Sequence, residues 1–211
     1  MSENIVQIVR GRPKDAGKHE NILEAARYLF LQRGFHGTSM EALAKRANVS
    51  KATLYSHFED KDALYRALIE DKLAAYEVSD LSRRMTWDMQ DDLVYIARHM
   101  LDLIFSDDAL EMQRMVVSEV REGSDVPRLF IETGPRRVLG QIASYFDSQK
   151  KRGIDYLDDV DEDAELFSAL VVGHTPLIFA LAGVDAPPDA AHRLKRARRA
   201  TAQFIALKQI S

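Results

Sequence analysis

Apolar residues recur along almost the whole chain at spacings of three and four, and no stretch alternates with the two-residue period of a half-buried strand. Over residues 18–33, Ile22, Ala26, Leu29 and Phe30 fall at i, i+4, i+7 and i+8, which predicts a helix with one buried face. Gly34 follows where a helix end favours glycine. Thr38 reads as the N-cap of a second helix, with Glu41 three residues on completing a capping box. Met40, Leu43, Ala44 and Ala47 make that helix's stripe. Ser50 opens a short third helix that buries Leu54 and Phe58, and Asp60 opens a fourth with Leu64, Leu68 and Ile69 inward. Beyond residue 80 the pattern gives further helices over 88–105, 108–122, 127–152, 163–181 and 189–210, with a kink expected at Gly134-Pro135. The fold class is all-α, with about nine helices.

Helices two and three are joined by only Asn48 and Val49. So tight a reversal needs a residue that tolerates positive φ, which Asn does, and Val49 suits an apolar plug in the angle. With the small Ala44 where the helices must approach, residues 40–59 describe a helix-turn-helix; a plain αα-corner is the alternative. Once Leu54 and Phe58 are buried, the third helix presents Lys51, Ala52, Thr53, Tyr55, Ser56 and His57. Hydroxyls and lysine suit phosphate oxygens, small side chains suit entry into a major groove, and no carboxylate is present to repel the backbone. Thr38 and Lys61 open helices two and four, where free N–H groups favour an anion. Upstream, Arg10, Arg12 and Lys14 form an arm able to follow a groove edge or to serve only as a solubilising tail.

Composition narrows the classes. The 211 residues carry a net charge of −4, yet residues 10–57 balance at +5 and the remainder at −9, the asymmetry expected of a head that meets a polyanion. Cysteine is absent, which removes disulfides, thiolate metal sites and cysteine nucleophiles. Neither a G-x-G-x-x-G nor a G-x-x-x-x-G-K motif occurs, and the acidic run over 158–165 reads as solvated, so an enzyme is not expected. His99, His174 and His192 are too scattered for a metal site, and no cofactor is expected. The N-terminal stretch lacks the apolar core of a secretory signal, which suggests an intracellular protein.

Residues 18–66 closely resemble the DNA-binding domain of TetR-family transcriptional regulators. The resemblance is carried by TSMEALAKRANVSKATLYSHFEDKDAL over 38–64, and above all by Leu54-Tyr55-Ser56-His57-Phe58 followed by Lys61 and Leu64. It implies that Thr38, Lys51, Tyr55, His57 and Lys61 meet phosphates, and that Lys51, Ala52, Thr53 and Tyr55 lie where base edges are read. Tyr55 alone reads equally well as a half-buried core aromatic, and His57 alone as a surface residue. The domain reading is an N-terminal arm over 1–17, a DNA-binding domain over 18–64, and an effector-binding and dimerisation domain over 65–211. The family's usual behaviour implies a cytoplasmic, homodimeric repressor that leaves a pseudo-palindromic operator when a small apolar effector binds. A DNA-organising protein with a protein partner is the alternative.

The C-terminal part, from Phe130 through Gly134-Pro135 to Tyr145, Gly153 and Phe167, looks like the C-terminal domain of AefR-like members. Trp87, Met100, Phe105, Met112, Met115, Phe130, Tyr145 and His174 are candidates to line an effector pocket, although Met and aromatic residues at these spacings equally fill a core. For His174 a closed, buried hydrogen bond is the preferred reading. Residues 166–184 hold no Asp, Glu, Lys or Arg, the length of a membrane span, but His174, Gly173 and Pro176 argue for a helix buried between subunits. Leu170, Leu177, Leu194, Ala197, Thr201 and Phe204 are therefore expected at a four-helix dimer interface.

Overall fold

A computed structural model of the chain describes residues 13–76, 85–120, 124–174 and 187–210, with side chains from residue 17. Arg10, Arg12, Leu177 and the side chain of Lys14 lie outside the described residues. Every regular element among the described residues is helical: α1 Pro13–Arg33, α2 Met40–Arg46, α3 Lys51–His57, α4 Lys61–Ala75, α5 Met89–Ile104, α6 Asp107–Val120, α7 Val126–Thr133, α8 Pro135–Lys151, α9 Val160–Val172 and α10 Ala190–Ile210. The chain divides into two compact units, Met1–Tyr65 and Arg66–Ser211, so the division falls within α4.

The first unit is built on α1 to α3 and the first turn of α4. Ile22, Ala26, Leu29 and Phe30 of α1 are buried, as the spacing required, together with Leu43, Ala44, Leu54, Phe58 and Leu64. Phe30, Phe35 and Tyr65 close this core with ring centroids 5.2–6.2 Å apart, two of the three pairs edge to face. Gly34 at φ 71° stops α1. At its other end α1 begins at Pro13, so residues 13–17, read as part of a loose arm, belong to the helix; Pro suits a first helical position because its missing N–H has no partner there anyway.

In the second unit, α5 packs on α10, α8 on α9, and α9 on α10. Phe146 of α8 lies flat on Phe204 of α10 at 5.2 Å, and Phe167 of α9 meets both edge-on. Ala197, Thr201 and Phe204 are each 0% exposed, so the expectation of a dimer surface there is corrected: these residues are the protomer's own core. Leu170 and Leu194 remain half-buried at the edge of the two helices.

Two sequence-derived helices change length. The segment over 127–152 is not one kinked helix but two, because Gly134, at φ −96° and ψ −90°, separates α7 from α8, and Pro135 starts the new helix. The apolar helix over 163–181 starts earlier and ends at Val172, where Gly173 takes φ 58°. The Arg196 guanidinium donates to the carbonyls of Val171 and Val172 in the last turn of the helix. Among the described residues no helix is long and apolar enough to cross a membrane.

Candidate nucleic-acid interface

The reversal between α2 and α3 is a Schellman turn. The Val49 N–H donates to the Ala44 carbonyl and the Asn48 N–H to that of Lys45, with Asn48 left-handed at φ 54°. Val49 is half-buried in the angle. The next residue, Ser50, caps α3 with its side-chain oxygen, which accepts from the Thr53 N–H at 3.0 Å and pairs with the Thr53 hydroxyl at 2.9 Å. Asp60 likewise accepts from Ala63 at the start of α4. Turn and caps together hold α3 rigidly at the surface with Leu54 and Phe58 beneath it.

Its outward face is the one the sequence suggested. Lys51, Ala52, Tyr55 and Ser56 are exposed, and Thr53 and His57 are half-buried. Tyr55 is 50% exposed, which removes its reading as a core aromatic. Ser56 gives its hydroxyl to the Thr53 carbonyl, and the His57 ring lies 6.0 Å from that of His19, which stacks on Phe58. The Lys51 ammonium pairs with Glu41 of α2 at 2.7 Å, both side chains more than half exposed. The hydrogen bond from Lys51 holds the Glu41 carboxyl below the usual carboxylate range.

Two residues at the edges behave otherwise. Thr38 is not the N-cap of α2: Ser39 is, its side chain accepting from the Ala42 N–H. Thr38 is 1% exposed and turns its hydroxyl inward to the carbonyls of Leu29 and Gly34, so the expected capping box with Glu41 is absent and that hydroxyl faces away from any phosphate. Lys61 donates to the Phe35 carbonyl at 2.7 Å and sits 4.6 Å from that ring's centre, clamping α4 to the end of α1. Nothing in the periodicity marks that contact, nor the Arg46 guanidinium 3.4 Å above the ring of Tyr28.

Wholly within the second unit lies a cavity of about 210 Å³. Met100, Met112 and Phe130 line it, beside Ile69, which the sequence read only as an inward core position, and Leu73, Leu103, Val138 and Leu139, which it did not single out. Trp87, Phe105, Met115, Tyr145 and His174 are not part of this wall. Phe105 and Met115 are buried elsewhere, and His174 is exposed just past α9, not closed in a buried hydrogen bond. The Tyr145 hydroxyl donates to buried Asp92, which also accepts from the Thr86 N–H and hydroxyl and the Trp87 N–H. Burial pushes the Tyr145 phenol well above its ordinary range, so it stays a donor. Trp87 itself is 42% exposed with Arg152 stacked on its ring.

Comparison with known proteins accounts for both units. Residues 22–68 match the model of bacterial regulatory proteins of the tetR family, and residues 91–207, more than half of the chain, match that of the AefR-like transcriptional repressor C-terminal domain. The HTH-type transcriptional regulator YdeS of Bacillus subtilis is 46% identical over 59 residues, 28% of this chain and 30% of YdeS. The HTH-type regulator YvkB of the same organism is 24% identical over 168 residues, 74% of this chain and 80% of YvkB. Among solved structures, the flavonoid-responsive regulator FrrA superposes with a TM-score of 0.71 at 28% identity, covering 91% of this chain and 97% of that one. Those proteins are transcriptional regulators, not enzymes. The two family models between them cover the helix-turn-helix and most of the helical domain that follows it, and the chain belongs to the TetR family of DNA-binding transcriptional regulators.

Proposed function

We propose that this chain acts as a homodimeric repressor whose α3 enters the major groove of each half of an inverted-repeat operator. The observation that carries the reading is the surface of α3, where Lys51, Ala52, Thr53, Tyr55 and Ser56 stand at or near the surface on a helix pinned by its cap and its turn. In this reading Lys51, Tyr55 and His57 hold phosphates, while Ala52 and Thr53 face base edges. Thr38 contributes by holding the entry to α2, and Lys61 by its place at the start of α4. A two-fold dimer sets the half-sites about one helical turn apart, roughly 34–36 Å, or a multiple of it.

A second copy has a place to bind. Leu166 (37% exposed), Leu170 and Ala169 on α9 face away from the core, as do Gln203, Ala206 and Ile210 on α10. An apolar molecule in the cavity of the second unit supplies the release signal. A difference of about 1.4 kcal/mol in its affinity for the bound and free states changes operator occupancy tenfold. The AefR-like match to a repressor domain supports the sign, and FrrA's response to flavonoids supports a ring-containing effector.

The test is selection of randomised duplexes by the purified protein at near-physiological salt. An enriched inverted repeat is expected, and Thr53→Ala should then change base preference at one position of each half-site. A bound pool without a repeat, from folded protein, overturns the reading. Many unrelated genomic sites that no small molecule releases would point instead to a DNA-organising role.

A further inference from the structure

The cavity in the second unit has a wall with a particular charge arrangement. Among the described residues its polar side chains are Lys72, Asp108, Gln113 and Ser168, and the rest of the lining is apolar apart from backbone at Gly134 and Pro135. The Gln113 amide donates to the Ile104 carbonyl at 3.4 Å. The Lys72 ammonium of α4 and the Asp108 carboxylate of α6 are in direct contact, and each side chain is only about a quarter exposed. Among the described residues, the two charges of the wall therefore face one another within the wall. A ligand with a net charge finds no surplus counter-charge among the described residues, so it must enter without its hydration or draw Lys72 away from Asp108. A neutral apolar molecule meets neither obstacle and gains in proportion to the area it buries.

We propose that this cavity takes an uncharged, mainly hydrocarbon molecule of one or two rings, and that the closed Lys72–Asp108 pair is what turns charged relatives away. The inference rests on the effector reading above and names the class of effector. The volume supports the size, because an apolar cavity of about 150 Å³ already accepts a benzene ring. Ser168 and Gln113 leave room for one orienting hydroxyl on the ligand, as in other apolar sites with few polar groups.

Three probes with one ring system separate the possibilities: 2-naphthalenemethanol (neutral), 2-naphthoate (anion) and 2-naphthylmethylammonium (cation), titrated calorimetrically into the full chain at pH 7. The alcohol is expected to bind at least tenfold tighter than either ion. Asp108→Asn leaves Lys72 as a surplus cation and should improve 2-naphthoate at least tenfold relative to the alcohol. Asp108→Ala should do the same, so either variant suffices if the other fails to fold. Ala109→Phe, which fills the cavity, should abolish binding of the alcohol. An anion or cation that binds the unaltered protein as well as the alcohol, selectivity unmoved by both charge variants, or no binding of the alcohol overturns the proposal. Selective binding of the alcohol that leaves the affinity for selected DNA unchanged would overturn the effector reading and leave the cavity's preference standing.

Discussion

Thr38 and Ser39 stand side by side, and both are types that cap helices, yet they do different work. Ser39 caps α2, while Thr38 ties α2 to the end of α1 through carbonyls at positions 29 and 34. Thr38→Val should cost about 1–2 kcal/mol of stability through the lost hydroxyl and leave the salt dependence of DNA binding unchanged, as thermal melts and salt titrations will show. Two adjacent capping residues cannot be told apart by pattern, since only burial separates them. Lys51 is a different case: its exposure was legible, its partner Glu41 was not, because ten residues of separation leave no mark in the periodicity. Lys51→Ala should weaken specific and random duplexes alike and lower the salt slope by about 0.9. Glu41→Gln should have the opposite sign, strengthening both about two- to fivefold by removing an exposed competitor for the ammonium; a weaker complex would mean that Glu41 positions Lys51. In the second unit, Tyr145→Phe removes a buried donor to Asp92 and should lower stability by about 1–2 kcal/mol without changing DNA affinity in the absence of ligand.

At the scale of elements, the helix-turn-helix was readable because its turn leaves a local signature. Asn48 supplies the left-handed residue and Val49 the plug, so Asn48→Gly should be nearly neutral while Asn48→Val costs about 1–2 kcal/mol in chemical denaturation. Elsewhere the ends of helices were harder to read. Gly134-Pro135 reads equally as a kink or as a break, and the choice depends on the backbone at one residue, ψ −90°, which composition does not encode. The end of α9 is hidden inside an uninterrupted apolar run, and the group that satisfies it, Arg196, comes from another helix. Arg196→Ala should therefore fray α9 and lower the melting temperature, whereas Arg196→Lys should recover only part of the loss, having one donor group where two carbonyls call for a fork.

For the whole molecule, the division of labour between core and contact surface was the least legible part. An apolar stripe shows that a face is buried, not whether its partner is the same chain or another copy, and Ala197, Thr201 and Phe204 illustrate the ambiguity. Phe204→Ala should cost about 3–5 kcal/mol and unfold the second unit early. Leu166→Glu with Leu170→Glu should leave the protomer folded but monomeric by sedimentation, with binding to an inverted repeat reduced to that of a half-site. The pocket was only partly legible for the same reason: Met100, Met112 and Phe130 look no different along the chain from Met115 and Phe105, which are core. The position of Trp87 carries a practical consequence. It is the only tryptophan of the chain, it lies under Arg152, and it is not part of the cavity wall. Intrinsic fluorescence will thus report the loop held by Asp92, and a silent emission spectrum during a titration is no sign of an empty cavity.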